Sequence, residues 1–280
     1  MKTLLSERRF ISFDETPVFY RVIAPEDAVR GLVFVLHGMG EHGGRYEFFA
    51  RHLAAHGFEC WLPDLRGFGK SGGARGAVRR FSDYEKDLEA VYALAEKNHR
   101  GLPFYWIGHS FGGLLVSRMA ALHRMPRLKA LILSSPLFGI ALPVPAPLDL
   151  LARADSFLAP GYAQSSGVPE EFLTHDVAIR AARAADPLVH SRITVRLYTE
   201  MKKALSESLK TAASIPYPAL VLQAGDDRVV SKEKTAAFYS ALPNEDKCLK
   251  IYENWYHEIL NEAGREKVFA LVADWLIKHS

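Results

Sequence analysis

Phe104-Tyr105-Trp106-Ile107-Gly108-His109-Ser110-Phe111-Gly112-Gly113 decides how this 280-residue chain is read. A short apolar, aromatic run predicts a buried strand. Gly-x-Ser-x-Gly follows, and Leu114-Leu115-Val116-Ser117-Arg118-Met119-Ala120 then has the character of a helix. Strand, sharp turn and helix are the context that a nucleophile elbow requires. A serine on so tight a turn is forced toward positive φ, a strained state for a residue with a Cβ. Its neighbours two positions away must be small, and Gly108 and Gly112 are. The turn lifts the Ser110 hydroxyl clear of the sheet. It also sets the Phe111 amide at the start of the helix, where the dipole favours a developing negative charge. A chance pentapeptide in a glycine turn is the alternative, and the flanking strand and helix argue against it.

Before the elbow, Arg8–Phe13 and Val18–Val22 alternate enough to be two strands joined by the turn-rich Asp14-Glu15-Thr16-Pro17. Gly31–Leu36 is a continuous apolar run of the buried parallel-strand kind, ending in His37-Gly38-Met39-Gly40. That loop is placed to supply a second oxyanion donor from the Met39 amide, with His37 as a structural hydrogen-bonding residue. A helix is expected over Tyr46–Ala55, closed by Gly57, and a strand over Phe58–Pro63. Asp64–Gly73 is glycine-rich but lacks a Gly-Lys-Ser ending at phosphate-loop spacing before a helix, so it reads as turn chemistry. Phe81–Asn98 predicts a helix with Ser82 as N-cap and Glu85 completing a capping box.

After the elbow, Leu128–Ser134 is a further buried strand. Strand and helix therefore alternate, which implies a parallel sheet covered on both faces. The pattern breaks at Pro136. Pro143, Pro145 and Pro147 interrupt an apolar segment that includes Leu142, Val144, Leu148, Leu150, Leu151 and Phe157. Helices are expected over Pro169–Ala185 and Ile193–Leu209. Residues 136–212 thus read as a cap inserted into a core formed by 1–135 and 213–280, lining an apolar pocket at the strand ends. The series resumes with a strand over Ala219–Gln223, a helix over Glu233–Leu242, a strand over Cys248–Tyr252 and a closing helix over Glu266–Lys278.

Composition excludes several classes. Hydrophobic residues make up 49% and charged residues 24%, which fits a globular chain with a sizeable core. The net charge is +3, and Arg79-Arg80 and Lys202-Lys203 are only pairs. They read as solvated faces, so no nucleic-acid partner is expected. Cys60 and Cys248 make neither a disulfide framework nor a zinc pattern. His52 and His56 stand i, i+4 without a third ligand, so no metal is expected. The N-terminus lacks the apolar run of a signal peptide and no stretch has the length of a membrane span. A cytoplasmic location is expected.

Three groups follow three separate strands: Ser110, an acid at Asp226 or Asp227, and His257. Serine, acid, histidine is the chain order of an α/β-hydrolase triad. Parallel strands end on one edge, so residues far apart in sequence can converge there. Asp227 is preferred, because Asp226 suits the turn itself. Each residue alone has an ordinary reading as a cap, turn or surface residue; their joint occurrence at successive strand ends argues otherwise.

His37-Gly38-Met39-Gly40-Glu41-His42-Gly43-Gly44-Arg45-Tyr46, Asp64–Ser71 and Gly108–Gly113 resemble the monoacylglycerol lipase and lysophospholipase group of serine α/β-hydrolases. Asp186-Pro187-Leu188 and Leu249–Glu253 are similar too, so the resemblance spans nearly the whole chain. It implies an α/β-hydrolase fold with a mobile apolar cap and hydrolysis of a single-acyl lipid ester without a cofactor. It carries over Ser110, Asp227 and His257 as triad and the Met39 and Phe111 amides as oxyanion donors. Transient membrane-surface contact through the cap is a further expectation. The same triad also serves short-chain carboxylesterases, acyl transferases, amidases and thioesterases, and a non-catalytic ligand-binding protein is the reading from another class.

Overall fold

The predicted elbow strand, β5 (Phe104–His109), is buried along its whole length and lies inside an eight-stranded sheet. The computed structural model describes residues 2–123, 125–141, 156 and 158–280. Leu142, Pro143, Val144, Pro145, Pro147, Leu148, Leu150, Leu151 and Phe157 lie outside the described residues.

The other strands of the sheet are β1 (Thr3–Ile11), β2 (Pro17–Pro25), β3 (Gly31–Leu36), β4 (Phe58–Pro63), β6 (Leu128–Ser134), β9 (Ala219–Ala224) and β10 (Lys247–Tyr252). They run in the order β1-β2-β4-β3-β5-β6-β9-β10. β1 pairs antiparallel with β2, and β2 with β4; every later pairing is parallel. β1 and β2 are longer than the alternation suggested. Their ladder runs from Ile11↔Pro17 out to Thr3↔Pro25, held by backbone pairing where burial gives no pattern.

The central strands alternate side chains between two cores, as a sheet covered on both faces demands. Phe34, Leu36, Trp106, Leu131 and Val221 enter one core, with α2 (Ser82–Asn98), α3 (Phe111–Leu122) and α7 (Lys232–Ala241) against it. Val33, Val35, Tyr105, Ile107 and Leu220 enter the other, under α1 (Glu47–Ala55) and α8 (Glu266–Lys278). Across that second face Phe49 of α1 meets Phe269 of α8 with ring centroids 5.0 Å apart.

α2 departs from the expected capping box. Phe81 occupies the N-cap without a side-chain bond, and Ser82 is already helical. Acids take the exposed N–H groups instead: Glu200 accepts from the Phe81 amide at 2.9 Å and Asp83 from the Arg80 amide at 3.2 Å. Glu85 binds Arg118 at 2.7 Å.

Between β6 and β9 the two expected helices are shorter. A 3-10 turn (Glu170–Phe172) precedes α4 (Val177–Ala185), whose N-cap Asp176 accepts the Ala178 and Ile179 amides. The second stretch opens as β8 (Arg192–Thr194), pairing with β7 (Ala163–Ser165). Only then does α5 (Val195–Ser206) start, capped by the Thr194 hydroxyl, and a short α6 (Ser208–Ala212) follows. Consecutive β-branched Ile193 and Thr194 favour the strand, and Thr194 then ends it by serving as the cap.

Candidate active site

Ser110 sits at the junction of β5 and α3 with φ 51° and ψ −115°. The positive φ is strained for a residue with a Cβ, and the surrounding backbone enforces it. The Ser110 amide donates to the Ser134 carbonyl at 3.0 Å; its own carbonyl accepts the Gly113, Leu114 and Leu137 amides. A Cβ on Gly108 would overlap the Gly112 carbonyl, and one on Gly112 would overlap the Leu36 carbonyl. The elbow is therefore wedged against the end of β3. The Phe111 amide, first in the helix, has no carbonyl one turn earlier to bond.

His37 holds the neighbouring loop as expected of a structural residue. The Leu65 amide donates to its Nε2 at 2.9 Å, which leaves Nδ1–H to donate to the Gly38 carbonyl at 2.7 Å. Burial keeps this imidazole neutral, with its pKa lowered. Met39 lies between Gly38 and Gly40, and all three line a cavity of about 780 Å³ together with Ser110 and His257.

Asp227 and Asp226 separate cleanly. Asp226 is exposed and pairs with Arg228 at 3.3 Å. The Asp227 carboxylate is buried, and it accepts the Val229 and Val230 amides at 2.9 Å each through Oδ1. Its Oδ2 accepts from His257 Nδ1 at 2.9 Å. That bond fixes the His257 tautomer with Nε2 unprotonated. Burial pushes the Asp227 carboxyl up, but the His257 charge and hydrogen bond outweigh it and hold it below its usual value. For His257 burial pushes down, and the Asp227 charge and bond raise it above the usual imidazole value. Asp227→Asn is expected to lower kcat by about 10⁴-fold by removing the tautomer lock. Asp226→Asn should stay near wild type. Equal losses in the two variants, in steady-state assays of ester hydrolysis, would refute the assignment.

Four further residues beside the site received no role from sequence. Glu41 accepts the Gly38 amide at 2.6 Å and the Tyr46 hydroxyl at 2.7 Å, and it pairs with Arg45. Arg45 also grips Glu258 through two bonds, at 2.9 and 2.6 Å. This buried Glu41–Arg45–Glu258 bridge ties the Gly38–Gly40 loop to the residue after His257. His109 packs against His257 with ring centroids 4.8 Å apart; burial first, and the His257 charge second, lower its pKa to about 4. The sequence signal was the spacing and placement of charge: an Arg four residues after a Glu beside the glycine loop, and a Glu next to the candidate base.

The β6–β9 segment reaches the same loop. The His190 amide donates to the Gly40 carbonyl at 3.0 Å, and the His190 ring stacks on Phe68. His42 Nε2 donates to Asp186 at 2.8 Å, since its Nδ1 is occupied by the Gly44 amide. Glu258 receives the other side of the segment, its amide donating to the Leu173 carbonyl at 2.7 Å. Among the described residues no cluster of His, Cys, Asp and Glu is arranged to hold a metal.

A mostly parallel sheet with a strained serine after its central strand defines a serine hydrolase of the α/β-hydrolase fold. The hydrolase family described as serine aminopeptidase, S33, matches residues 27–264, and the chain belongs to it. It is 32% identical over 239 residues to phospholipase YtpA of Bacillus subtilis (strain 168), covering 85% of this chain and 92% of that protein. It is 31% identical over 276 residues to a monoacylglycerol lipase of Mycolicibacterium smegmatis, covering 98% of each. The crystal structure of Paleococcus ferrophilus monoacylglycerol lipase superposes with a TM-score of 0.84 at 27% identity over 100% of both chains. The expected α/β-hydrolase fold and serine ester hydrolase class are both borne out.

Proposed function

We propose that the protein hydrolyses single-acyl lipid esters, monoacylglycerol or lysophospholipid, through an acyl-enzyme on Ser110. The observation that carries the reading is the bond from His257 to the buried Asp227, with His257 lining the same cavity as Ser110. In this reading Ser110 Oγ attacks the acyl carbon as His257 Nε2 takes its proton. The Met39 and Phe111 amides stabilise the oxyanion. The proton then passes to the alcohol oxygen as the acyl–oxygen bond breaks, and water activated by His257 releases the fatty acid. Asp227 orients the imidazole and stabilises its charged form.

Residues 136–212 act as a cap in this proposal. Leu137, Ile140, Tyr162, Leu173, Ile193 and Met201 from that segment line the cavity together with Met39 and Val229 of the core. A volume of about 780 Å³ lies within the roughly 300–1,000 Å³ of small-molecule sites; the apolar part of its mixed lining suits an acyl chain, and polar groups such as Gln164, Glu170 and Arg183 share the wall. Among the described residues no helix is long and apolar enough to cross a membrane.

The test is labelling with a fluorophosphonate followed by intact-protein mass spectrometry, paired with an acyl-chain series of monoacylglycerols and lysophosphatidylcholines. One adduct on wild type, none on Ser110→Ala, and a preference for chains longer than four carbons are expected. A folded wild type that takes no adduct would sink the catalytic reading; labelling with short-chain preference would leave a general carboxylesterase.

A further inference from the structure

Two dibasic pairs, Arg79-Arg80 and Lys202-Lys203, lie more than a hundred residues apart and read in sequence as ordinary solvated faces. The fold brings Arg79, Arg80 and Lys203 to one place. They line a groove of about 1060 Å³ between the loop before α2 and α5, joined by Arg196 and the less exposed Arg66 and Arg118. Four carboxylates share the groove, and each is engaged. Asp14 binds Arg66 at 2.8 Å and Glu207 binds Arg118 at 2.8 Å; Glu200 accepts the Phe81 amide; Asp83 accepts the Arg80 amide and pairs with the exposed Arg79 guanidinium at 3.5 Å. Arg79, Arg80 and Lys203 remain exposed. Six Arg and Lys side chains thus stand against four carboxylates, so the groove keeps a net positive charge, with Arg79, Arg80 and Lys203 at its exposed rim.

The spacing of these cations is built in. The Thr194 amide donates to the Gly76 carbonyl at 2.8 Å, and a Cβ on Gly76 would overlap the Arg192 carbonyl. The loop that carries Arg79 and Arg80 is thus stapled to the strand that leads into α5. One wall of the groove is Pro160 and Gly161, and the next residue, Tyr162, lines the catalytic cavity. Leu158 and Tyr162, on either side of that wall, are 84% and 56% exposed. Exposed apolar side chains beside a basic rim are the composition of a surface that sits at a lipid–water interface.

We propose that this face docks the protein on an anionic lipid bilayer, with Arg79, Arg80 and Lys203 at the headgroups and Leu158 and Tyr162 at the acyl boundary. Docked this way, Tyr162 brings the catalytic cavity next to the bilayer that holds its substrate. That purpose rests on the lipid-ester reading, but the docking itself is measured independently of hydrolysis.

The experiment is co-sedimentation of the full chain carrying Ser110→Ala, so that no lipid is consumed, with phosphatidylcholine vesicles and with phosphatidylcholine/phosphatidylglycerol vesicles. Binding should favour the anionic vesicles and weaken as salt is raised. Adding Arg80→Gln and Lys203→Gln should weaken binding to them by about fivefold per residue. The same pair in the Ser110-containing protein should leave turnover of dispersed p-nitrophenyl butyrate unchanged, which certifies the fold. Equal binding to both vesicle types, or anionic binding indifferent to the two substitutions, overturns the proposal. So does an interaction with inorganic pyrophosphate lost on substitution while vesicle binding is absent, which would make the groove a site for free phosphate. A protein that takes no fluorophosphonate yet binds anionic vesicles would keep the docking and lose the catalytic reading.

Discussion

Ser110→Ala is expected to lower kcat by roughly 10⁴- to 10⁶-fold while leaving the fold in place. The size follows from what the hydroxyl alone supplies. Without it no acyl-enzyme forms, and the remaining donors and cavity can only bind. The fold should survive because the bonds that hold the elbow run through the Ser110 backbone: its amide to the Ser134 carbonyl, and its carbonyl from three amides. Alanine keeps the same Cβ, so the strain at φ 51° is unchanged. Steady-state turnover of a p-nitrophenyl ester, beside circular dichroism of the variant, measures both halves. Near-normal turnover would end the assignment of Ser110.

Arg45→Met should be the most destabilising substitution at the site, by about 3–5 kcal/mol at neutral pH. The guanidinium is nearly buried and bonds two buried carboxylates, Glu41 and Glu258. Methionine fills much of the volume but removes the cation that both acids share, leaving Glu258 with the more distant Arg183 at 3.7 Å. The pH dependence separates this from lost packing. Burial raises the Glu41 and Glu258 pKa values, but Arg45 outweighs it, and both lie below the usual 4.5. In the wild type their stabilising contribution is therefore present above pH 4.5 and is lost as pH falls through the lowered values. In the variant the strongest lowering charge is gone while burial remains, so both values rise from their wild-type positions despite the Gly38 and Tyr46 bonds to Glu41 and Arg183 beside Glu258, and protonation relieves the site. The deficit should narrow as pH drops below 4.5, in urea melts at a series of pH values. A deficit constant with pH would mean that packing, not charge, is what Arg45 supplies.

The elbow was legible because its steric needs are local: a strand, a positive φ, and glycines at 108 and 112. Asp227 and His257 were legible because parallel strands deliver their ends to one edge. What escaped was chemistry that depends on distant partners. Nothing near Phe81 tells that Glu200, more than a hundred residues later, accepts its amide, so Ser82 and Glu85 looked like a capping box. Nothing in Ile193–Thr194 names Ala163–Ser165 as its strand partner. Arg45 and Glu258 become a pair only after the sheet has closed between them. Arg79-Arg80 likewise acquires company only when α5 is laid beside it.

The bond from the His190 amide to the Gly40 carbonyl joins two things usually considered apart, the segment proposed as a cap and the loop proposed to meet the oxyanion. Energetic coupling of this kind is reciprocal. If the segment lifts as the proposed cap would, it gives up its hold on Gly40 and slackens the Gly38–Gly40 backbone; a ligand that draws that backbone taut would favour the lowered segment by the same free energy. An inhibitor bearing a tetrahedral anion would therefore act as a latch, whereas a plain hydrocarbon filling the same space would not. On the proposed reading, the Gly38–Gly40 backbone would be held best for the oxyanion while His190 keeps its bond to Gly40.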